Sequence, residues 1–247
     1  MNFKTLTKKQ LEEIAKVDSP TVANVIELFG IRSQIEGYCD GRMKAIYPEL
    51  PPTVGYAVTA TFRSSYQSMG KDSYGGIPQY VLDSQSIPTP RIAVFQDLDE
   101  PSKSATYGEV LVSTFKKFGF TGLITSGAAR DIEQCIQFNF PCWASSIIVS
   151  HGYHELLEGN IPVNVAGMQV RPGDLIHADA NGIINIPHSI AEGVVELTGP
   201  YMKAEQIVMD YLQEPDANPE DYGKVLGKMR DRIAGLKKQA QKMLEND

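Results

Sequence analysis

The stretch that most restricts how this chain can fold runs from Tyr107 to Ser146. It opens Tyr107-Gly108-Glu109-Val110-Leu111, and Val110, Leu111, Thr114, Phe115 and Phe118 recur at helical spacing, one apolar face of an amphipathic helix. Thr121 to Ser126 follows, short and apolar at its centre, as for a strand covered on both faces. Gly127-Ala128-Ala129 predicts a tight turn, and Arg130-Asp131-Ile132-Glu133 the start of a second helix. That order places Arg130 and Asp131 at the strand's carboxyl end, where ligands of open α/β folds bind.

Three kinds of group converge on that point. Gly108 opens a helix, so the amides of Glu109, Val110 and Leu111 lack partners within it and, with the helix dipole, favour an anion. Arg130 offers a planar fork suited to a carboxylate or phosphate. Asp131 is a hard oxygen ligand of the kind magnesium or manganese takes. Spacing alone leaves a second reading open: Asp131 can simply stabilise a helix N-terminus while Arg130 pairs with a neighbouring carboxylate.

The rest of the chain reads as support. Its 247 residues suffice for one substantial core plus extensions. A net charge of −7 and the lack of a basic run argue against general binding to nucleic acid or an anionic membrane. No apolar stretch approaches a membrane span, and Met1 to Leu6 carries no secretory core. Cys39, Cys135 and Cys142 have no metal-ligand spacing and are read as reduced thiols of a cytoplasmic protein.

Thr7 to Val17 predicts a helix with a Thr7/Gln10 capping box, and Ser19-Pro20 starts a second that ends near Gly30. Gly55 to Arg63 and Arg91 to Asp97 read as strands, with a polar loop over 64–76 and a short helix over 77–82 between them. Asp97, Asp99 and Glu100 end the second strand, where acids can hold a metal but usually are just solvated. Phe140 to Val149 predicts a strand pair with Trp143 in the core. His151 and His154 lack a completing Cys or His for zinc, and one of them beside a pocket could carry protons. Ile161–Val165, Met168–Val170 and Leu175–Ala178 read as short strands, and Asn181-Gly182 as a hairpin turn before Ile183.

Ser189 to Glu192 is a capping box, Gly199-Pro200 breaks or kinks the helix it starts, and Met202 to Leu212 continues it. Residues 214–220 read as a linker. Leu226, Met229, Ile233, Leu236 and Met243 then lie near heptad spacing, interrupted by Gly227 and Gly235, which leaves a helix packed on a partner subunit or a frayed tail.

Taken together, Gly108-Glu109-Val110-Leu111, Gly122-Leu123-Ile124, Gly127-Ala128-Ala129-Arg130-Asp131 and Phe140-Pro141-Cys142-Trp143-Ala144 resemble the RraA-like family. So do Val170-Arg171-Pro172-Gly173-Asp174-Leu175-Ile176, Ala178-Asp179 and Gly182-Ile183. The family includes regulator of ribonuclease activity A and class II 4-hydroxy-4-methyl-2-oxoglutarate aldolases, and the resemblance covers roughly Ser19 to Pro187. It implies an α/β fold, a layered β/β/α swivelling-type sandwich with N- and C-terminal helical extensions. On that basis residues 1–30 are N-terminal helices, 31–188 the core, and 189–247 C-terminal helices and tail with oligomer contacts.

The chemistry the resemblance implies is retro-aldol cleavage of a small 2-keto acid, releasing pyruvate and dependent on Mg2+ or Mn2+, with oxaloacetate decarboxylation as a side reaction. Asp131 would bind the ion directly, and Glu109 and a neighbouring subunit's Glu205 through water. Arg130 and the backbone of Gly108, Glu109, Val110 and Leu111 would grip the substrate. A cytoplasmic homotrimer or hexamer with its site at the subunit interface is implied as well. One departure stands out. Where the aldolases carry an acid three residues after the aspartate, this chain has Gln134, and Glu133 lies about 100° away around a helix. Members without that acid include regulators that bind a ribonuclease, so a non-catalytic regulator with a protein partner is the alternative. Methyl transfer to a quinone would require a glycine-rich nucleotide loop, which the sequence lacks.

Overall fold

The Thr7/Gln10 capping box forms: the Gln10 amide donates to the Thr7 hydroxyl at 3.3 Å and the Thr7 amide to Gln10 Oε1 at 2.8 Å, starting α1 (Lys8–Ile14). The next helix, α2 (Ser19–Phe29), is capped by Asp18 rather than Ser19, its carboxylate accepting the Thr21 amide at 2.8 Å. A carboxylate serves better there because it also meets the positive end of the helix dipole. The helix ends on Gly30, which is left-handed at φ 64°.

The computed structural model describes residues 4–66, 68–69 and 74–245. Part of the polar loop expected over 64–76 lies outside these residues. Two units are distinguished: one of Met1–Thr5 and Ile35–His188, the other of Leu6–Gln34 and Ser189–Asp247.

The first unit is built on strands β1 (Lys44–Ala45), β2 (Thr53–Arg63), β3 (Arg91–Asp97), β4 (Ala105–Tyr107), β5 (Phe120–Thr125), β6 (Ala128–Ala129), β7 (Cys142–Ala144), β8 (Ser146–Ile147), β9 (Glu155–Gly159), β10 (Val163–Val165), β11 (Met168–Val170), β12 (Leu175–Asp179) and β13 (Gly182–Ile186). Among the described residues the main sheet runs β1-β7-β5-β3-β2-β12-β13, with β9 also on β2. Its centre, β2-β3-β5-β7, is parallel, and the strands added on either side are antiparallel. Both faces of the centre are covered, which is why β3 and β5 read as continuous apolar runs. Ile92, Val94, Ile124, Trp143, Val165, Val170 and Ile176 pack into one core. Trp143 belongs to that core, and its indole N–H is satisfied by the Asp179 carbonyl at 2.8 Å.

The parallel strands continue past a break. The small sheet β4-β6-β8 takes up where β3, β5 and β7 leave off. Ala128 and Ala129 are therefore a strand, not the predicted tight turn; both are fully buried between neighbouring strands. The Phe140–Val149 segment does give two strands, but each pairs with the preceding crossover strand and not with the other.

Between the strands lie α3 (Ile77–Asp83), α4 (Glu109–Lys117) and α5 (Ile132–Cys135). The second helix expected after Arg130 is thus a single turn. Glu155-Leu156-Leu157-Glu158 lacks the alternation that marks a strand, yet it forms β9, with Glu155 buried against Arg63 at 2.8 Å and Glu158 exposed.

In the second unit, α6 (Ala191–Leu212) follows a 3-10 turn and starts without a side-chain cap, contrary to the Ser189 box. It runs through Pro200, because Val194, Leu197, Thr198, Tyr201 and Ala204 are buried along it and their packing outweighs one missing hydrogen bond. The linker ends earlier than expected, and α7 (Pro219–Glu245) begins at Pro219, an ordinary first-turn residue. The tail is not frayed. Leu236 and Ala240 are buried, and Gln241 Nε2 donates to the carbonyls of Leu28 and Phe29, capping the open end of α2. Leu236→Ala should lower the stability of the full-length chain by about 2–4 kcal/mol in urea unfolding; an unchanged midpoint would return α7 to a loosely attached tail.

Candidate functional site

The α4 N-terminus is formed by a glycine with extended backbone, φ −151° and ψ −163°. Gly108 is required there by crowding and not by its dihedrals. A Cβ at this position would run into Asp131 Oδ2 and lie 3.1 Å from Arg130 Nε. Asp131 comes that close because its own backbone is left-handed, φ 54° and ψ 43°. Three hydrogen bonds hold this turn: Arg130 N–H to the Tyr107 carbonyl at 3.1 Å, Cys135 N–H to the Asp131 carbonyl at 2.8 Å, and the Tyr47 hydroxyl to the Ile132 carbonyl at 3.1 Å.

The carboxylate so placed accepts the Glu109 amide on Oδ2 at 3.0 Å, and Arg130 Nε lies 3.7 Å from the same oxygen. Asp131 therefore takes one of the helix-mouth amides itself. The amides of Val110 and Leu111, in the first turn, still have no acceptor within the helix. Asp131 Oδ1 and the two Nη groups of Arg130 have no partner among the described residues. Both side chains are partly open, 27% exposed for Arg130 and 37% for Asp131. Gly108, Glu109, Arg130 and Asp131 thus meet at one place.

Other candidates fall elsewhere. Glu205 lies on α6 in the second unit, half-buried, where burial and Asp18 push its carboxyl upward. Gln134 and Glu133 are both exposed on α5. His151 is exposed, whereas His154 is buried. The His154 ring stacks on Tyr74 at 4.6 Å and bonds the Thr106 carbonyl through Nε2 at 2.7 Å, and burial pushes its pKa down. It is a neutral support for β4, the strand leading into Gly108. Neither the support of β4 by His154 nor that of the Asp131 turn by Tyr47 could have been assigned from sequence, since their partners are distant backbone carbonyls that leave no pattern.

No three His, Cys, Asp or Glu side chains gather as a metal cluster among the described residues. No helix of the described residues is long and apolar enough to cross a membrane.

The profile of the RraA-like family, Aldolase/RraA, matches residues 21–185. The chain belongs to this family. It is 31% identical over 120 residues to a putative 4-hydroxy-4-methyl-2-oxoglutarate aldolase of Halalkalibacterium halodurans, covering 47% of this chain and 56% of that protein. It is 31% identical over 94 residues to protein DlpA of Legionella pneumophila, covering 37% of this chain and 15% of that one. The chain thus spans about half or less of the length of these two curated relatives. Among solved structures, an RraA-family protein of Streptomyces coelicolor, described as an unusual member of the RNase ES inhibitor family, superposes with a TM-score of 0.66 at 21% identity. That match covers 83% of this chain and 98% of the other, and it establishes the RraA-like fold.

Asp97 is set apart from the Gly108 site by its burial, 8% exposed at the end of β3. Burial raises its carboxyl to about 6, against hydrogen bonds from the Asp99 amide and Ser102 that lower it, with Asp99 and Glu100 adding repulsion. A folded-state pKa above the unfolded one favours folding most at low pH, and the advantage is lost as pH rises through 6. Asp97→Asn should therefore flatten the pH dependence of stability between pH 4 and 7 and raise stability at pH 7 by up to about 3 kcal/mol. Urea unfolding at both pH values checks this; a variant less stable at pH 7 would show that the ionised carboxylate is favoured.

Proposed function

We propose that this RraA-like protein is a divalent-metal-dependent lyase acting on a small 2-keto acid. The reaction is retro-aldol cleavage of substrates like 4-hydroxy-4-methyl-2-oxoglutarate, releasing pyruvate, with decarboxylation of oxaloacetate. The observation that carries the reading is the meeting of Arg130, Asp131 and the α4 N-terminus around Gly108. The family's putative aldolases support it.

The donor set suits a hard divalent ion. Asp131 has one carboxylate oxygen held by the Glu109 amide and the other free to ligate, and magnesium commonly takes one or two carboxylates and keeps water in its remaining positions. Asp131 would hold the ion directly, and Glu109 and a neighbouring subunit's Glu205 would hold its water shell. A bound ion would supply Lewis-acid stabilisation of negative charge on the keto oxygen.

The chain's own groups then have defined work. The free Nη donors of Arg130 grip the keto acid's carboxylate, and the amides of Val110 and Leu111 face the oxygens where charge builds. Transfer of the C4 hydroxyl proton to a water held by Glu109 would let the C3–C4 bond break. The C4 carbon becomes a carbonyl, and the electron pair passes into the enolate of pyruvate, which then takes a proton at C3. No lysine is needed in this scheme, because Arg130 and the helix-mouth amides would stabilise the charge without an imine.

The regulator reading has one observation in its favour, Gln134 standing exposed where the aldolases carry an acid. The two readings separate in one assay. The wild type should release pyruvate from oxaloacetate with magnesium and stop with chelator. Arg130→Lys should lower kcat/KM by about 100-fold, as for loss of one oxyanion contact, and Gly108→Ala, which displaces the Asp131 carboxylate, by at least as much. No turnover by the wild type, with tight binding to a ribonuclease, would replace the lyase by the regulator.

A further inference from the structure

The carboxyl ends of β3, β5 and β7 lie side by side and parallel, and they close on Asp97, Ser126 and Ser145. In open parallel sheets this is the place where ligands sit. A cleft of 540 Å³ opens there, large enough for a small molecule, and none of Gly108, Glu109, Arg130 or Asp131 lines it.

At Gln96, Asn164 and Ser126 the hydrogen bonds within this cleft consume acceptors and leave donors, whereas Ser145 gives its hydroxyl hydrogen to the Gly127 carbonyl at 2.7 Å. Gln96 Oε1 takes the Asn164 amide at 2.8 Å, and Asn164 Oδ1 takes the Gly167 amide at 3.2 Å. A backbone N–H can donate only to a carboxamide oxygen, so both orientations are fixed and both NH2 groups are left over. Ser126 Oγ accepts the Asp97 amide at 2.9 Å, so its hydroxyl hydrogen is free to donate. Of the acids, Asp99 is spent, its two oxygens filled by the amides and hydroxyls of Ser64 and Ser65, whereas Asp97 takes the Asp99 amide on Oδ1 and keeps a buried Oδ2 with no hydrogen-bond partner among the described residues, a second acceptor for a ligand hydroxyl. Arg42 is held by Asp40 through Nε and Nη2, the shortest contact 2.7 Å. Lys44 is a cation at the cleft with no partner among the described residues, and Glu100 is an acceptor left for a hydroxyl.

We propose that this cleft is a second binding site, separate from the Gly108 site, for a small hydroxylated monocarboxylate. One negative charge meets Lys44, oxygen atoms meet the carboxamide NH2 groups of Gln96 and Asn164 and the Ser126 hydroxyl, and ligand hydroxyls meet Glu100. A dianion is disfavoured, because Asp97, Asp99 and Glu100 crowd one wall. The β6 strand leads from this cleft directly to Arg130, so occupancy is positioned to influence the other site.

Isothermal titration of the full chain with glycolate, D-glycerate and D-gluconate tests this, with glycerol as the uncharged control. At least one acid should bind saturably at one per chain, and glycerol at least tenfold more weakly. Asn164→Asp keeps the oxygen that Gly167 uses but turns the donor into an acceptor; it should weaken binding at least tenfold, as should Lys44→Glu at an exposed position if the first variant unfolds. Arg130→Lys should leave the affinity unchanged. Binding of none of the three acids overturns the proposal. So does binding lost in Arg130→Lys but kept in the cleft variants, which would assign the acid to the Gly108 site.

Discussion

The hydrogen bond from the Glu109 amide to the Asp131 carboxylate is the constraint on which the site's geometry depends. It joins the start of α4 to the end of β6 across a gap that only a glycine at 108 leaves open. It also needs Asp131 in a left-handed conformation, unfavourable by about 1 kcal/mol or more for a residue with a Cβ. Two backbone hydrogen bonds, with Tyr107 and Cys135, and one from the Tyr47 hydroxyl offset that cost. The strain is held by a surrounding structure built from distant parts of the chain, which is the usual condition for its persistence at a functional turn.

The crease between the main sheet and the small one follows the same logic. Gly127 sits at the bend because a Cβ there would strike the Thr106 hydroxyl and lie 2.8 Å from Asp97 Oδ2. Thr106 and Thr125 share a buried hydroxyl contact at 2.8 Å beneath it. Small residues at 127, 128 and 129 let β6 lie between β4 and β8, and Arg130 follows directly at its end.

The central parallel sheet was legible because burial on both faces writes itself as apolar runs, and α4 because its apolar face recurs every three to four residues. The elements misread were those decided by tertiary contact. Ala128–Ala129 carries no strand signal, yet neighbours on both sides make it one. Pro200 signals a break, yet buried neighbours carry the helix through it. Ser189 to Glu192 has the residues of a cap, but the chain enters α6 through a 3-10 turn that leaves the box unformed. At the site, the adjacency of Arg130 and Asp131 to Gly108 was legible from family order. The capture of the Glu109 amide by Asp131 was not, since nothing local in the sequence encodes a left-handed aspartate.

That capture bears on whether Arg130 and Asp131 form a mere structural pair. A buried pair at bonding distance would be neutralised and unavailable to any ligand, and removing one partner would leave an isolated charge in the interior. Here the separation is 3.7 Å and more than a quarter of each side chain faces water. A pair of that kind contributes about 1 kcal/mol at most, little more than thermal energy. Its weakness is what leaves the guanidinium free to turn toward an incoming carboxylate. The bond fixing Asp131 is to the backbone and not to Arg130, so the carboxylate keeps its place when the arginine moves. Position is supplied by the main chain and charge by the side chains, and a site arranged in this way can exchange its ion pair for a ligand without losing its shape.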